Sequence, residues 1–287
     1  MPSSIIQWFP GHMAKTRRLI KENLQKVDLV VEILDARIPY SSKNPEIDRL
    51  TQGKPRLVLL AKSSLADPAV CKQWEKYYKD QGKKCIFCDF VTGYNVKNII
   101  PAIREVLSDK VARYEAKGMT GRALTAMAVG IPNVGKSTFI NTLCGSKRAK
   151  AENRPGVTVT KQWLHTEQGV DLLDMPGVLW PKFEDQTVGE SLAFTGAIKD
   201  EILNIDELAI ALCGRLRRLY PDELCARYKL AEADISDEVS DYELLCRIGR
   251  KRGCLVAGGE IDLERVSNIV IDEFRSAKIG KLSLERP

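Results

Sequence analysis

The stretch AVGIPNVGKSTFINTL, residues 128–143, constrains the fold more than any other part of the chain. It places a glycine, four residues and Gly135-Lys136-Ser137 between an apolar run and a helix-like segment, which is the context of a phosphate-binding loop. Such a loop curls its backbone N–H groups around phosphates, and the next helix presents its positive end to them. We expect Lys136 to act catalytically on the β- and γ-phosphates and Ser137 to bind Mg²⁺. The candidate nucleotide contacts of this loop are Asn133, Val134, Gly135, Lys136, Ser137 and Thr138.

A second phosphate motif follows at DMPG, residues 174–177, where the apolar run VDLLD ends. We expect Asp174 to bind Mg²⁺ and the N–H of Gly177 to meet the γ-phosphate. Between the two motifs, Thr158 or Thr160 of RPGVTVT supplies a second hydroxyl for the metal, and Thr158 is the favoured candidate. This order of loop, threonine and D-x-x-G is typical of a GTPase. A P-loop ATPase or kinase is the disfavoured alternative, since no lid-like arginine cluster follows the loop.

The pattern of apolar runs predicts an α/β fold with a mainly parallel sheet. Strand-like runs alternate with helix-like segments such as 68–80 and 95–117, as expected for a sheet covered on both faces. A hairpin is predicted to turn at Gln168-Gly169. The five strand-like runs are 29–39, 56–64, 84–91, 124–132 and 170–177.

After about residue 184 the strand-like runs stop, and only helical patterns follow at 197–219, 238–249 and 262–275. The predicted domains are therefore 1–183, with an N-terminal arm over 1–26, and a smaller all-α domain over 184–287.

The segment that reads the base is predicted to precede the phosphate loop. In regulatory GTPases an N-K-x-D loop follows D-x-x-G, and no such segment follows Gly177. Instead, the run RLVLL leads into AKSSLAD, residues 61–67, whose position fits such a loop moved upstream by circular permutation. A second base-reading segment is expected over residues 88–93. The candidate base contacts are Ala61, Lys62, Ser63, Ser64, Asp89 and Phe90.

With these motifs, the chain resembles the circularly permuted ribosome biogenesis GTPase A family over nearly its whole length. The resemblance implies a cytoplasmic, Mg²⁺-dependent GTPase that binds GTP and GDP, associates with the large ribosomal subunit and its rRNA late in assembly, and hydrolyses GTP there. The motifs that carry it are WFPGHMAKTRR (8–18), LDARIP (34–39), GIPNVGKST (130–138), RPGVT (154–158) and LLDMPGVLWPKFED (172–185).

The base-reading loop departs from the family pattern. Where Asn-Lys-x-Asp is expected, the chain has Ala61-Lys62-Ser63-Ser64, and a serine cannot accept two hydrogen bonds from guanine as a charged carboxylate does. Asp67, three residues on, has two candidate roles: it takes the place of the missing aspartate or, as we favour, it caps the helix that starts at Pro68. The second segment also lacks the usual Ser-Ala pair. The alternative function is therefore a nucleotide-binding assembly factor with weakened guanine selectivity and little or no hydrolysis.

Hydrolysis needs a group that orients water, and Val178 stands where many GTPases carry a glutamine. The resemblance points to His12 on the N-terminal arm as that group, and local packing or RNA contact is its alternative role. By the same resemblance, Asn133 helps to coordinate a K⁺ ion.

The overall charge of +6 is compatible with RNA binding but does not establish it. Basic residues cluster in three places, and we expect them to contact rRNA. We expect no membrane partner, since no apolar run approaches the ~20 residues that cross a bilayer. DNA is not expected as a partner either. Cys85 and Cys88 are interpreted as small apolar residues rather than metal ligands. The clusters are Lys15, Arg17 and Arg18; Arg215, Arg217 and Arg218; and Arg247, Arg250, Lys251 and Arg252.

Overall fold

The computed structural model describes residues 12–145, 162–180, 183 and 185–287, with side chains of the first helix described from Thr16 onward. These residues form two compact units. The described residues of the first unit are 12–145, 162–180 and Glu285–Pro287, and those of the second unit are 183 and 185–284. The domain boundary placed between residues 183 and 184 from the sequence stays a prediction.

In its described residues, the first unit is built on a six-stranded sheet with the order β3-β2-β1-β4-β6-β5. All neighbouring strands are parallel except β5, which pairs antiparallel with β6 as the predicted hairpin. The α/β class with a mainly parallel sheet is thereby confirmed. The strands are β1 Leu29–Asp35, β2 Arg56–Ala61, β3 Lys84–Phe87, β4 Leu124–Gly130, β5 Gln162–His165 and β6 Val170–Asp174.

The strand register aligns the carboxyl ends of four neighbouring strands along one edge of the sheet. The β1 strand is buried along its whole length, as its apolar run LVVEILD predicts for a central strand. It pairs Ile33 with Gly130 on one side and Asp35 with Ala61 on the other. Because the strands are parallel, the loops that leave β2, β1, β4 and β6 at their carboxyl ends meet at this edge, where open α/β sheets bind ligands.

Helices cover the sheet, and one of them differs from the prediction. The single helix predicted over 95–117 is wrong: a short 3₁₀ turn precedes α4, and α5 starts after a break at Leu107. The break coincides with the end of burial, since α4 buries an apolar stripe and α5 has no buried residue. The helices are α1 His12–Leu24, α2 Pro45–Leu50, α3 Pro68–Asp80, α4 Ile99–Val106, α5 Ser108–Ala116 and α6 Lys136–Cys144.

The second unit is all helical in its described residues, apart from one isolated bridge between Leu255 and Ile261. The long helix α8 begins after Asn204, whose side chain accepts a hydrogen bond from the N–H of Glu207, rather than at residue 197 as predicted. It packs against the other four helices of the unit. These helices are α7 Gln186–Phe194, α8 Ile205–Leu219, α9 Pro221–Tyr228, α10 Asp241–Arg252 and α11 Leu263–Arg275. No helix in either described unit is long and apolar enough to span a bilayer.

The last three residues pack with the first unit. The Glu285 carboxylate accepts hydrogen bonds from the backbone N–H of Tyr40, at 2.7 Å, and from both the N–H and the hydroxyl of Ser41. The Glu285 carbonyl accepts one from the Trp74 indole, at 3.2 Å. These hydrogen bonds attach residue 285 to the loop that follows β1.

Candidate nucleotide site

The phosphate loop connects the end of β4 to the start of α6, as its sequence predicts. Gly135 adopts φ +101° and Asn133 φ +56°, so the loop turns through two left-handed positions before Lys136 begins the helix. Val134 is buried, whereas Ser137 and Thr138 at the helix N-terminus are half-buried. The conformation directs the N-terminal end of α6 toward the edge of the sheet where phosphate is expected.

The two charged groups predicted for phosphate and metal are in direct contact. Lys136 Nζ donates a hydrogen bond to Asp174 Oδ1, and both side chains are nearly inaccessible to solvent. Burial lowers the pKa of Lys136 and raises the pKa of Asp174, and each charge offsets this effect on the other. The contact therefore places the ammonium group expected to bind phosphate, on Lys136, beside the carboxylate expected to bind a metal, on Asp174.

The DMPG segment packs against the phosphate loop through backbone contact. A Cβ at Gly177 would lie 3.0 Å from Pro132 Cα, and Val178 donates its N–H to the Gly130 carbonyl at 3.1 Å. A Cβ at Gly130 would meet the Ile33 carbonyl at 2.7 Å. These close approaches require glycine and hold the N–H of residue 177 beside the phosphate loop.

The donor set fits Mg²⁺, because the Ser137 hydroxyl and the Asp174 carboxylate are the hard oxygen ligands that this ion prefers. Both lie at the same edge of the sheet, one at the start of α6 and the other at the end of β6. The third predicted ligand, Thr158, lies outside the described residues, as does the side chain of His12 at the start of α1.

The two predicted base-reading segments are neighbours. Ala61 ends β2 and is buried, and Lys62 follows with φ +57°. The N–H of Ser63 donates to the Cys88 carbonyl at 3.2 Å, and the Ser64 hydroxyl donates to Asp89 Oδ2. The structure therefore brings together the loops after β2 and β3, as expected for adjacent parallel strands.

Phe90 connects the second base-reading segment to the phosphate loop. Its ring would lie 3.4 Å from a Cβ at Gly135 and packs on Phe139 with ring centroids 5.3 Å apart. Its carbonyl accepts a hydrogen bond from the Thr142 hydroxyl at 3.3 Å. The two halves of the site are thus in contact although Phe90 and Thr142 are 52 residues apart in sequence.

Sequence reasoning missed Asp35 and Arg37, which lie beside the first base loop. Asp35 accepts three hydrogen bonds from Arg37, through its N–H at 3.0 Å, Nε at 2.9 Å and Nη2 at 2.8 Å. It also pairs with Lys62 Nζ at 3.1 Å. Burial alone would raise the pKa of Asp35, but Arg37 and Lys62 outweigh it and hold that pKa well below its usual value. An Asp-x-Arg at the end of a fully buried strand was the available signal.

Other predicted residues have structural partners. Asp67 caps α3, accepting from the N–H groups of Ala69 and Val70. Cys88 is buried and Cys85 half-buried, and burial raises the pKa of both thiols. Several cluster arginines form ion pairs with carboxylates: Arg17 with Glu46, Arg18 with Glu22, Arg215 with Glu190, Arg217 with Asp241, Arg247 with Asp234 and Glu243, Arg250 with Glu243, and Arg252 with Glu273.

Comparison with known proteins yields one consistent family. Residues 125–218 match the family of 50S ribosome-binding GTPases. Ribosome biogenesis GTPase A of Priestia megaterium is 49 % identical over 283 residues, which cover 98 % of this chain and 97 % of that protein. The protein of the same name from Thermotoga maritima is 32 % identical over 98 % of this chain and 95 % of its own length.

A solved structure agrees with these relatives. GNP-bound YlqF from T. maritima superposes with a TM-score of 0.64 at 30 % identity, covering 95 % of this chain and 98 % of that one. The family match begins in β4, so both base loops of this chain precede the segment that carries the phosphate motifs. The chain therefore belongs to the ribosome biogenesis GTPase A family, and it is a circularly permuted P-loop GTPase.

Proposed function

We propose that this protein acts in the cytoplasm in late assembly of the large ribosomal subunit and hydrolyses GTP while bound to that subunit. The observation that carries the proposal is the contact between Lys136 and Asp174 at the base of the phosphate loop. Lys136 provides the positive charge for the triphosphate, and Asp174 provides the negative charge for Mg²⁺. The names of the relatives and the description of the matching family support the ribosomal partner.

Each residue of the phosphate half has a role in this proposal. Lys136 and the backbone N–H groups of the phosphate loop and of Gly177 stabilise negative charge on the γ-phosphate as water attacks. Ser137, Thr158 and Asp174 would hold Mg²⁺, which supplies additional neutralisation of phosphate charge when bound.

Water must be oriented by a group other than residue 178. Val178 is apolar and 2 % exposed, so it neither accepts a proton nor forms a side-chain hydrogen bond to water. We propose His12 for this role and Asn133 as a ligand of K⁺. The left-handed backbone of Asn133 places this residue within the turn of the phosphate loop.

The rRNA contact is proposed for two exposed cations, Arg218 and Lys251, since the described residues show no ion pair for either. Replacing both by alanine should weaken subunit binding and reduce the slope of log affinity against log salt by about 1–2. A slope that stays unchanged would remove these residues from the interface.

The decisive experiment measures single-turnover GTP hydrolysis with purified large or small ribosomal subunits, in K⁺ or Na⁺ buffer. We expect stimulation by the large subunit only, greater in K⁺, and loss of turnover in Lys136→Ala. Lys117→Ala is the matched control, because Lys117 is exposed in the same unit after α5. His12→Ala should lower kcat while GTP binding persists, and Asn133→Ala should remove the advantage of K⁺.

Equal turnover with either subunit, or with none, would overturn the proposed coupling to the large subunit. GTP binding on the subunit without turnover would instead establish the second candidate, an assembly factor that binds nucleotide and hydrolyses little of it. Buried Val178 in place of a water-orienting glutamine is the observation that keeps this candidate open.

A further inference from the structure

The base half of the site contains the two side chains that guanine reading requires, but in exchanged positions. An N-K-x-D loop carries its carboxylate at the position of Ser64, and a second segment of the Ser-Ala type carries a hydroxyl. Here residue 64 is the serine and Asp89, in the second segment, is the carboxylate. We propose that the Ser64–Asp89 pair replaces the usual aspartate, so that Asp89 supplies the negative charge by which this chain selects guanine. This inference rests on the proposed nucleotide site.

The contact between the two loops is direct and is supported by the backbone. Ser64 donates its hydroxyl hydrogen to Asp89 Oδ2. Immediately before this contact along both segments, Ser63 N–H donates to the Cys88 carbonyl at 3.2 Å, and Cys88 N–H donates to the Leu60 carbonyl at 3.0 Å. The pair therefore lies on a framework of backbone hydrogen bonds between neighbouring strands.

The hydrogen-bonding capacity of the pair matches guanine. Asp89 Oδ1 accepts from the N–H groups of Val91 and Thr92, both at 2.9 Å, which uses both of its lone pairs. The Thr92 side chain also bonds to this carboxylate, and because its hydroxyl can rotate away, Oδ2 can offer one lone pair to a ligand beside the bond from Ser64, while the Ser64 oxygen retains its own. The pair can accept two hydrogen bonds, which is what the N1–H and 2-amino group of guanine donate. Adenine has no donors at these two positions.

The carboxylate is charged at neutral pH. Asp89 is only 4 % exposed, and burial would raise the pKa of its carboxyl. The hydrogen bonds from Ser64 and from the N–H groups of Thr92 and Val91 outweigh burial and hold that pKa below its usual value. Ser64 is half-buried, so the more exposed member of the pair is a hydroxyl polarised by a charge behind it.

The next residue fixes the position of the pair relative to the phosphate site. Phe90 packs on Gly135 and Phe139, and its carbonyl is bound by Thr142. Asp89 therefore cannot move far from the phosphate loop while these contacts persist. The Asp89 carboxylate would therefore have a fixed position relative to a nucleotide whose phosphates are bound by the loop.

The test is equilibrium competition of GTP, XTP and ATP in the full-length protein with Mg²⁺ present. Xanthine carries an oxygen where guanine carries the 2-amino group, so an amide in place of the carboxylate should favour it. We expect wild type to prefer GTP, and Asp89→Asn to lower the ratio of GTP to XTP affinity roughly ten- to hundredfold. The matched control is Asp67→Asn, since Asp67 is a carboxylate at the end of the same loop whose role is helix capping, and asparagine also caps a helix. It should leave the ratio unchanged.

An exchange variant provides the second measurement. Ser64→Asp alone places two carboxylates in contact and should weaken GTP binding, whereas the double variant Ser64→Asp/Asp89→Ser should restore it. A GTP preference that survives in Asp89→Asn, or that disappears in Asp67→Asn, would overturn the proposal. So would equal binding of all three nucleotides to wild type. Failure of wild type to bind any triphosphate would instead refute the nucleotide site itself, so the two failures are distinguishable.

Discussion

Replacing Asp35 by asparagine should destabilise the first unit far more than the loss of an ordinary ion pair. Asp35 and Arg37 are both about 2 % exposed, so the substitution leaves a buried guanidinium without its counter-charge. The single side-chain oxygen of asparagine can still accept from Arg37. Its amide nitrogen is itself a donor and would face the donor groups of Arg37. Breaking a buried pair from one side costs about 3–5 kcal/mol. Because asparagine preserves the shape, we expect about 3 kcal/mol, or roughly 6–12 °C in Tm.

Fluorescence-detected urea unfolding measures this change in one unit, because all four tryptophans of the chain precede residue 183. The matched control is Glu105→Gln, which breaks the pair of Glu105 with Lys84, whose side chains are 63 % and 39 % exposed. Exposed pairs contribute about 0.2–1 kcal/mol. A loss in Asp35→Asn no larger than that of the control would refute the argument from burial.

The effect of Asp35 on stability also has a predicted pH dependence. Since its folded-state pKa lies below that of the unfolded chain, its contribution is present above the unfolded value of about 3.9 and is lost as pH falls through the folded value. The difference between wild type and Asp35→Asn should therefore be constant from about pH 5 to 8 and shrink only in stronger acid.

Three further outcomes are expected. Gly177→Ala should abolish GTP hydrolysis while GDP binding persists, because its Cβ would lie 3.0 Å from the Pro132 backbone, and retained turnover in a rapid-quench assay would contradict this. Glu285→Gln should lower the Tm of the first unit by weakening three hydrogen bonds, and an unchanged melting curve would count against a fastened C-terminus. Cys85 and Cys88 should react slowly with a thiol reagent in the folded, nucleotide-free protein, because burial raises their pKa values and disfavours the reactive thiolate, and rapid labelling would contradict this.

The phosphate half was predictable because it depends on local sequence. The spacing of Gly130 and Gly135, and the place of Asp174 at the end of an apolar run, encode backbone shapes within a few residues, and the structure reproduces them. The hairpin at Gln168 and the cap at Asp67 were predictable for the same reason.

Contacts between residues that are far apart in sequence could not be predicted. Nothing local indicates that Ser64 reaches Asp89 across 25 residues, or that Phe90 packs on Gly135. Helix 95–117 was predicted as continuous because its apolar residues fit one helical stripe, although the stripe ends at Leu107. Burial is a property of the assembled sheet, so a periodic pattern alone does not show where it stops.

The position of β1 places Asp35, which was not among the predicted site residues, between the two halves of the nucleotide site. β1 lies between β2, which leads into the first base loop, and β4, which leads into the phosphate loop. Its carboxyl end is therefore the point where both halves of the site meet, and there Asp35 pairs with Lys62. Circular permutation changes the order of these strands in sequence but not their neighbours in the sheet. Asp35→Asn should consequently weaken the binding of GTP more than the binding of inorganic triphosphate. Lys62, the partner of Asp35, belongs to the base loop, and inorganic triphosphate has no base. Equal weakening of both ligands would show that Asp35 acts only through the stability of the unit.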